Sequence, residues 1–122
     1  MNSAHGLERL QKAFGYSMKG LLAGWRHEEA FRQELILTVV LLPLTFVIGS
    51  NFLEYAILLA TLLLVLITEL FNSAIEALTD RVGTEHHELS GRAKDLSSAA
   101  VFLALVLLAV VWGAVAWARF AG

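Results

Sequence analysis

Residues 54–80 read EYAILLATLLLVLITELFNSAIEALTD, and this stretch decides the fold. Tyr55 to Thr68 and Leu70 to Ile75 form one largely apolar run whose only charged residue is Glu69. A helix needs about 20 residues to cross about 30 Å of hydrocarbon, so the run is predicted to span a membrane. On either side the pattern repeats. Leu35 to Leu53 has no charged residue over 19 positions, and Leu96 to Ala118 has none over 23. Three spans follow, at about 35–49, 54–77 and 96–118. The first is the shortest and holds the only proline, Pro43, which leaves room for a kink or a locally thinned membrane. None of the three reads as a removable signal peptide, because the first 34 residues are polar-rich and the apolar runs come later.

Composition agrees. Of 122 residues, 57% are apolar and 16% charged, with a mean hydropathy of +0.67. A soluble domain typically has about 45–50% apolar and about 25% charged residues. The abundance of apolar side chains excludes disorder. The absence of cysteine excludes disulfides, thiolate zinc sites and iron–sulfur clusters. A net charge of −2 supplies no basic field, so no nucleic-acid partner is expected. An all-α integral membrane protein remains.

Arg9, Lys12, Lys19, Arg26 and Arg32 lie in the first 34 residues, and Arg81, Arg92 and Lys94 in the expected 78–95 loop. The 49–53 connection has no Lys or Arg, and the C-terminal tail has only Arg119. Positive-inside reasoning therefore places the N-terminus and the 78–95 loop in the cytoplasm and the C-terminus outside. Within residues 1–34, Leu7, Leu10, Phe14, Met18, Leu21, Leu22 and Trp25 recur at three- and four-residue spacing. That is the pattern of a helix lying in the membrane interface, with a bend or break expected near Gly15, Gly20 and Gly24.

Glu69 lies 15 residues into the 54–77 helix, where a carboxylate costs about 2.5–3.5 kcal/mol on the insertion scale. At 100° per residue, Glu69, Asn72, Ser73, Glu76 and Asp80 share one face. A purely structural stripe, with a neutral Glu69 bonding between helices, is the simpler alternative. A partly dehydrated carboxylate is suited to take a proton from a hydroxyl. Glu76 and Asp80, with Glu28 or Glu29, could offer oxygen ligands to a hard divalent cation such as magnesium. Glu85, His86, His87, Glu88, Arg92, Lys94 and Asp95 add donors, acceptors and cations suited to a nucleotide, although both histidines also read as ordinary loop residues. Zinc on the two histidines alone is disfavoured, since no further ligand is spaced to complete the set. No GxxxxGK[ST] and no GxGxxG occurs, so a P-loop or protein-kinase fold is excluded.

The run from Glu69 to Arg81, Glu-Leu-Phe-Asn-Ser-Ala-Ile-Glu-Ala-Leu-Thr-Asp-Arg, resembles the E-x-x-N-[ST]-A-[IV]-E-x-x-x-D signature of the prokaryotic diacylglycerol kinase family. His87-Glu-Leu-Ser-Gly-Arg-Ala-Lys-Asp with Ser98-Ala-Ala-Val is similar to its second block. Ala13-Phe-Gly-Tyr-Ser and the stretch from Trp25 to Glu34 are similar to its first. The resemblance covers most of the chain and is nearer the proteobacterial branch than the undecaprenol-kinase branch. It implies an ATP- and magnesium-dependent lipid kinase of the bacterial inner membrane, working as a homotrimer with active sites shared between neighbours.

Residue by residue, the resemblance makes Glu69 the base, braced by Asn72, and Glu28 and Glu76 the metal ligands. Arg9, Tyr16, Glu28, Glu76, Glu85, His86, His87, Lys94 and Asp95 would line the ATP site. Arg9, Gly15, Tyr16, Ser17, Ala30, Arg32, Gln33, Glu34, Glu69, Ser98 and Trp112 would contact lipid. Three rivals stand beside this reading. An undecaprenol kinase would be separated by comparing the two lipids as substrates, and a small proton-coupled transporter by substrate flux without nucleotide. A structural bundle subunit is disfavoured by the energetic cost of the polar stripe.

Overall fold

In the computed structural model, residues 3–83 and 87–122 are described. Four helices follow in order: α1 (Ser3–His27), α2 (Glu29–Ile48), α3 (Phe52–Val82) and α4 (Glu88–Phe120). The fold is all-α, and α2, α3 and α4 are each long and apolar enough to cross a membrane.

The break expected near the glycines of α1 lies elsewhere. The helix runs unbroken through Gly15, Gly20 and Gly24 and ends at His27. One glycine costs about 1 kcal/mol in a helix interior, too little to end a 25-residue helix. Gly24 serves a different purpose: a Cβ there would sit 2.9 Å from Cδ1 of the buried Phe31, so glycine lets α1 and α2 approach closely. The chain turns on the extended residue Glu28 (φ −117°, ψ 106°). Arg32 then reaches back, its Nη1 donating to the carbonyls of Trp25 at 2.9 Å and Arg26 at 3.3 Å. These belong to the last turn of α1, whose carbonyls have no partner within their own helix.

Pro43 does not end α2, which continues to Ile48; the ring removes only the donor to the Val39 carbonyl. The α2–α3 connection is fixed locally. Asn51 caps α3 by accepting from the Glu54 amide at 3.0 Å, while Glu54 Oε1 accepts from the Ser50 amide at 2.7 Å. This is reciprocal capping. Gly49 lies beneath Tyr55, whose Cδ1 would be 2.7 Å from any Cβ added there.

The expected 78–95 loop is mostly helix. Residues 78–82 complete α3 and 88–95 begin α4. With 31 and 33 residues, these helices are about 46 and 50 Å long, against about 30 Å of hydrocarbon. Their length exceeds what a span needs by several turns, and the polar residues of 79–81 and 92–95 lie in those turns. Lys94 Nζ meets Asp80 Oδ1 at 2.6 Å across the two polar ends.

The α3–α4 pair makes the most extensive contact, with α2 laid against α3 and α1 against α2. Leu58, Leu62, Trp112 and Val115 form the core between α3 and α4, flanked by Leu41 and Ile48 of α2. Outward faces carry large apolar residues such as Ile36, Val39, Phe46, Leu63, Phe102 and Val110. Such faces are as stable against lipid tails as against leucine.

Candidate active site

The polar stripe of α3 exists as a connected unit. Glu69 is 3% exposed. Its Oε2 accepts from Asn72 Nδ2 at 3.4 Å and from Ser73 Oγ at 3.5 Å. The same Asn72 amide donates to Glu76 Oε1 at 3.5 Å, so one side chain bridges two carboxyl groups. These are long contacts, near the outer limit of hydrogen bonding. From Phe52, Glu69 lies about 26 Å along α3. That distance compares with the about 30 Å of hydrocarbon a span must cover.

Two neighbours of this unit were not evident from sequence spacing. Ser97 of α4 is 7% exposed, and its Oγ donates to Asn72 Oδ1 at 2.7 Å. Glu34 of α2 places its carboxyl group against that of Glu69. Its Oε2 is buried with no hydrogen-bond partner among the described residues. Three helices thus converge on the Glu69–Asn72 pair.

A cleft of about 560 Å³ opens beside the pair, between α1 and α3. Small residues make the space: Gly20, Ala23 and Gly24 on α1, and Ala74 and Ala77 on α3. Ser17, His27 and Glu28 supply polar groups on one wall and Ser73 on the other. Ser73 both lines the cleft and bonds Glu69, so one side chain stands between the cleft and the carboxyl group.

The remaining expected residues sort as follows. Arg9, Gly15 and Tyr16 are exposed along α1, with Lys19 Nζ 5.8 Å from the centre of the Tyr16 ring. Ala30 and Gln33 are exposed on α2, and Asp95 and Ser98 on α4. Arg32 ties the end of α1 as described above. Lys94 is engaged by Asp80. His87 caps α4, its Nδ1 accepting from the Leu89 amide at 3.0 Å. Glu85 and His86 lie outside the described residues. Trp112, expected against lipid, is instead 8% exposed within the α3–α4 core, its Nε1 donating to Thr61 Oγ1 at 3.0 Å. An indole N–H in a membrane needs an acceptor, and Thr61 provides it.

Oxygen donors suited to a hard cation are present as Glu28 on the cleft and Glu76 on the stripe. Among the described residues no group of three or more His, Cys, Asp or Glu is placed to hold a metal by itself. Magnesium usually takes one or two carboxylates and fills its other positions with water and substrate phosphates, so a group of three protein ligands is not a requirement for it.

Comparison with known proteins gives a concordant result. Residues 15–116 match the family model described as "Prokaryotic diacylglycerol kinase". The chain is 46% identical over 115 residues to the diacylglycerol kinase of Haemophilus influenzae, covering 94% of this chain and 98% of that one. It is 43% identical over 119 residues to that of Escherichia coli K12, covering 98% of each. Identity to the Pseudomonas aeruginosa enzyme is 50% over 110 residues, covering 90% of this chain and 89% of the relative.

Proposed function

This chain belongs to the prokaryotic diacylglycerol kinase family and is a lipid kinase, and we propose that it transfers the γ-phosphoryl group of ATP to the hydroxyl of diacylglycerol, making phosphatidic acid at the cytoplasmic face of the bacterial inner membrane. The observation that carries this reading is a buried Glu69, bridged through Asn72 to Glu76 and joined through Ser73 to an apolar cleft. A lipid hydroxyl sits at headgroup depth, and Glu69 stands near that depth on α3. Its carboxylate takes the hydroxyl proton as the lipid oxygen attacks the γ-phosphorus. The bond from phosphorus to the bridging oxygen breaks, and ADP leaves with that electron pair.

Asn72 keeps the base and Glu76 at a fixed separation. Ser17, Gly20 and Leu21 line the cleft assigned to the lipid, and the family resemblance adds Gly15, Ala30, Arg32, Gln33, Glu34 and Ser98 as lipid contacts. Arg9, Tyr16, His87, Lys94 and Asp95, with Glu85 and His86, serve the nucleotide. Glu28 and Glu76 are the residues that would hold magnesium. When bound, the ion neutralises charge on the transferring phosphates. The reading includes a homotrimer with sites shared between neighbours. The N-in, C-out orientation rests on the distribution of Lys and Arg.

The test is transfer of labelled phosphate from γ-labelled ATP to diacylglycerol by the purified protein in mixed micelles. Magnesium-dependent labelling of the lipid is expected. ATP turnover independent of added diacylglycerol, or labelling of undecaprenol in its place, would overturn the assignment.

A further inference from the structure

The amide of Asn72 has two different ends, an acceptor oxygen and a donor nitrogen. Only one orientation serves the stripe: Nδ2 must face Glu69 and Glu76, because Oδ1 turned towards two carboxylates would be repelled. The local sequence of α3 fixes the position of Asn72 but leaves the amide free to rotate about its terminal torsion. The group that meets Oδ1 comes from another helix. Ser97 Oγ donates to it at 2.7 Å, the shortest hydrogen bond to any member of the Glu69–Asn72–Glu76 unit.

Ser97 has one hydroxyl proton and a second acceptor within reach, the Lys94 carbonyl of its own helix at 3.0 Å. That carbonyl lies inside α4, where the helix ladder already supplies a donor. Asn72 Oδ1 has Ser97 as its donor and lies in a part-buried position away from bulk water. The proton is therefore better used on Asn72. The contact spans 25 residues of sequence and joins α4 to the helix that carries the base. One turn nearer the N-terminus of α4, Lys94 holds Asp80 and keeps the two helices in this register.

We propose that Ser97 is a positioning residue for phosphoryl transfer: its hydroxyl holds the Asn72 amide with both N–H groups turned towards Glu69 and Glu76. The inference rests on the kinase reading above and deepens it. Ser97 touches neither substrate and acts only through Asn72.

The experiment is a kinetic double-mutant cycle on the full-length protein in mixed micelles, with Ser97→Ala, Asn72→Ala and the double variant. Ser97→Ala is expected to lower kcat about fivefold, the factor that one intramolecular hydrogen bond is typically worth, with the KM for diacylglycerol unchanged. Ser97→Thr, which keeps the hydroxyl, recovers most of that loss. In the Asn72→Ala background, Ser97→Ala has no further effect. A kcat for Ser97→Ala equal to that of the parent overturns the proposal, as does an equal proportional loss in both backgrounds. If Asn72→Ala itself leaves kcat unchanged, the kinase reading of Asn72 fails first. Side-chain amide NMR then tests the remaining half: the Asn72 N–H2 signals, assigned by their loss in Asn72→Asp, move in Ser97→Ala and return in Ser97→Thr. Signals unmoved by Ser97→Ala would show that the hydroxyl does not hold the amide.

Discussion

Replacing Glu69 by Gln keeps the length and nearly the volume of the side chain while removing its capacity to accept a proton. Both local donors, Asn72 Nδ2 and Ser73 Oγ, converge on one oxygen of Glu69, Oε2. A glutamine also has one amide oxygen, so it can retain both contacts. Its new N–H2 group would then turn towards the Glu34 carboxyl, whose buried Oε2 has no partner among the described residues. The change therefore leaves no new polar group unsatisfied, and stability is expected to stay within about 1 kcal/mol of the parent. Catalysis is different. Loss of a general base typically costs about 10²–10⁴ in rate, or about 2.7–5.4 kcal/mol of transition-state stabilisation. Glu69→Asp keeps the base but withdraws it by about one C–C bond, ~1.5 Å, and a displacement of that order costs about 10²-fold. The assay is initial-rate transfer of labelled phosphate to diacylglycerol at saturating ATP, with SDS-induced unfolding of each variant as the control for folding. A Glu69→Gln protein that is folded and turns over within tenfold of the parent would refute the role of Glu69 as base. A KM for ATP unchanged in the same variant is the accompanying expectation.

Thr61→Val and Trp112→Phe each break the buried Trp112–Thr61 bond, and their double-mutant cycle in SDS unfolding is expected to show about 0.6–1.7 kcal/mol of coupling; additive effects would mean that the 3.0 Å contact carries no energy. Gly24→Val drives atoms into the Phe31 ring and is expected to destabilise the α1–α2 hairpin by about 1–3 kcal/mol. Gly15→Ala, in the same helix with nothing within 4 Å, should gain up to about 1 kcal/mol, and equal responses at the two positions would contradict the close approach at Gly24. Chelation of divalent cations should abolish transfer and added magnesium restore it. Glu28→Gln and Glu76→Gln should raise the magnesium concentration needed by more than the about tenfold typical of losing an outer-shell partner, and an unchanged requirement would remove that residue as a ligand.

The stripe on α3 was readable because its members stand three and four residues apart, and a helix of known pitch places them together without reference to anything else. The three spans were readable for a similar reason, since charge-free length alone decides whether a segment can cross hydrocarbon. The ends of the spans were less so. The polar segment 78–95 between two apolar runs suggests a loop, yet 78–82 complete α3 and 88–95 begin α4. Glycines in α1 suggested a break, yet Gly24 marks a contact with a residue on the following helix. Adjacent serines show the limit most clearly. The family resemblance assigns Ser98 to the lipid and is silent on Ser97, which lies 100° round the same helix and reaches Asn72.

Taken alone, the amino-acid order determined that this is an all-α membrane protein with an acidic, amide-bearing face on its second span, because both properties are local and periodic. Which side chains from other helices meet that face was decided only by the packed structure. Glu34 beside Glu69, Ser97 on Asn72 and Thr61 beneath Trp112 all depend on the rotation and register of one helix against another. In a bilayer both the packed and the lipid-facing sides of a helix are apolar, so composition does not reveal which side turns inwards. Rotation and register are settled instead by shape at small residues and by a few interhelical hydrogen bonds between residues far apart in sequence.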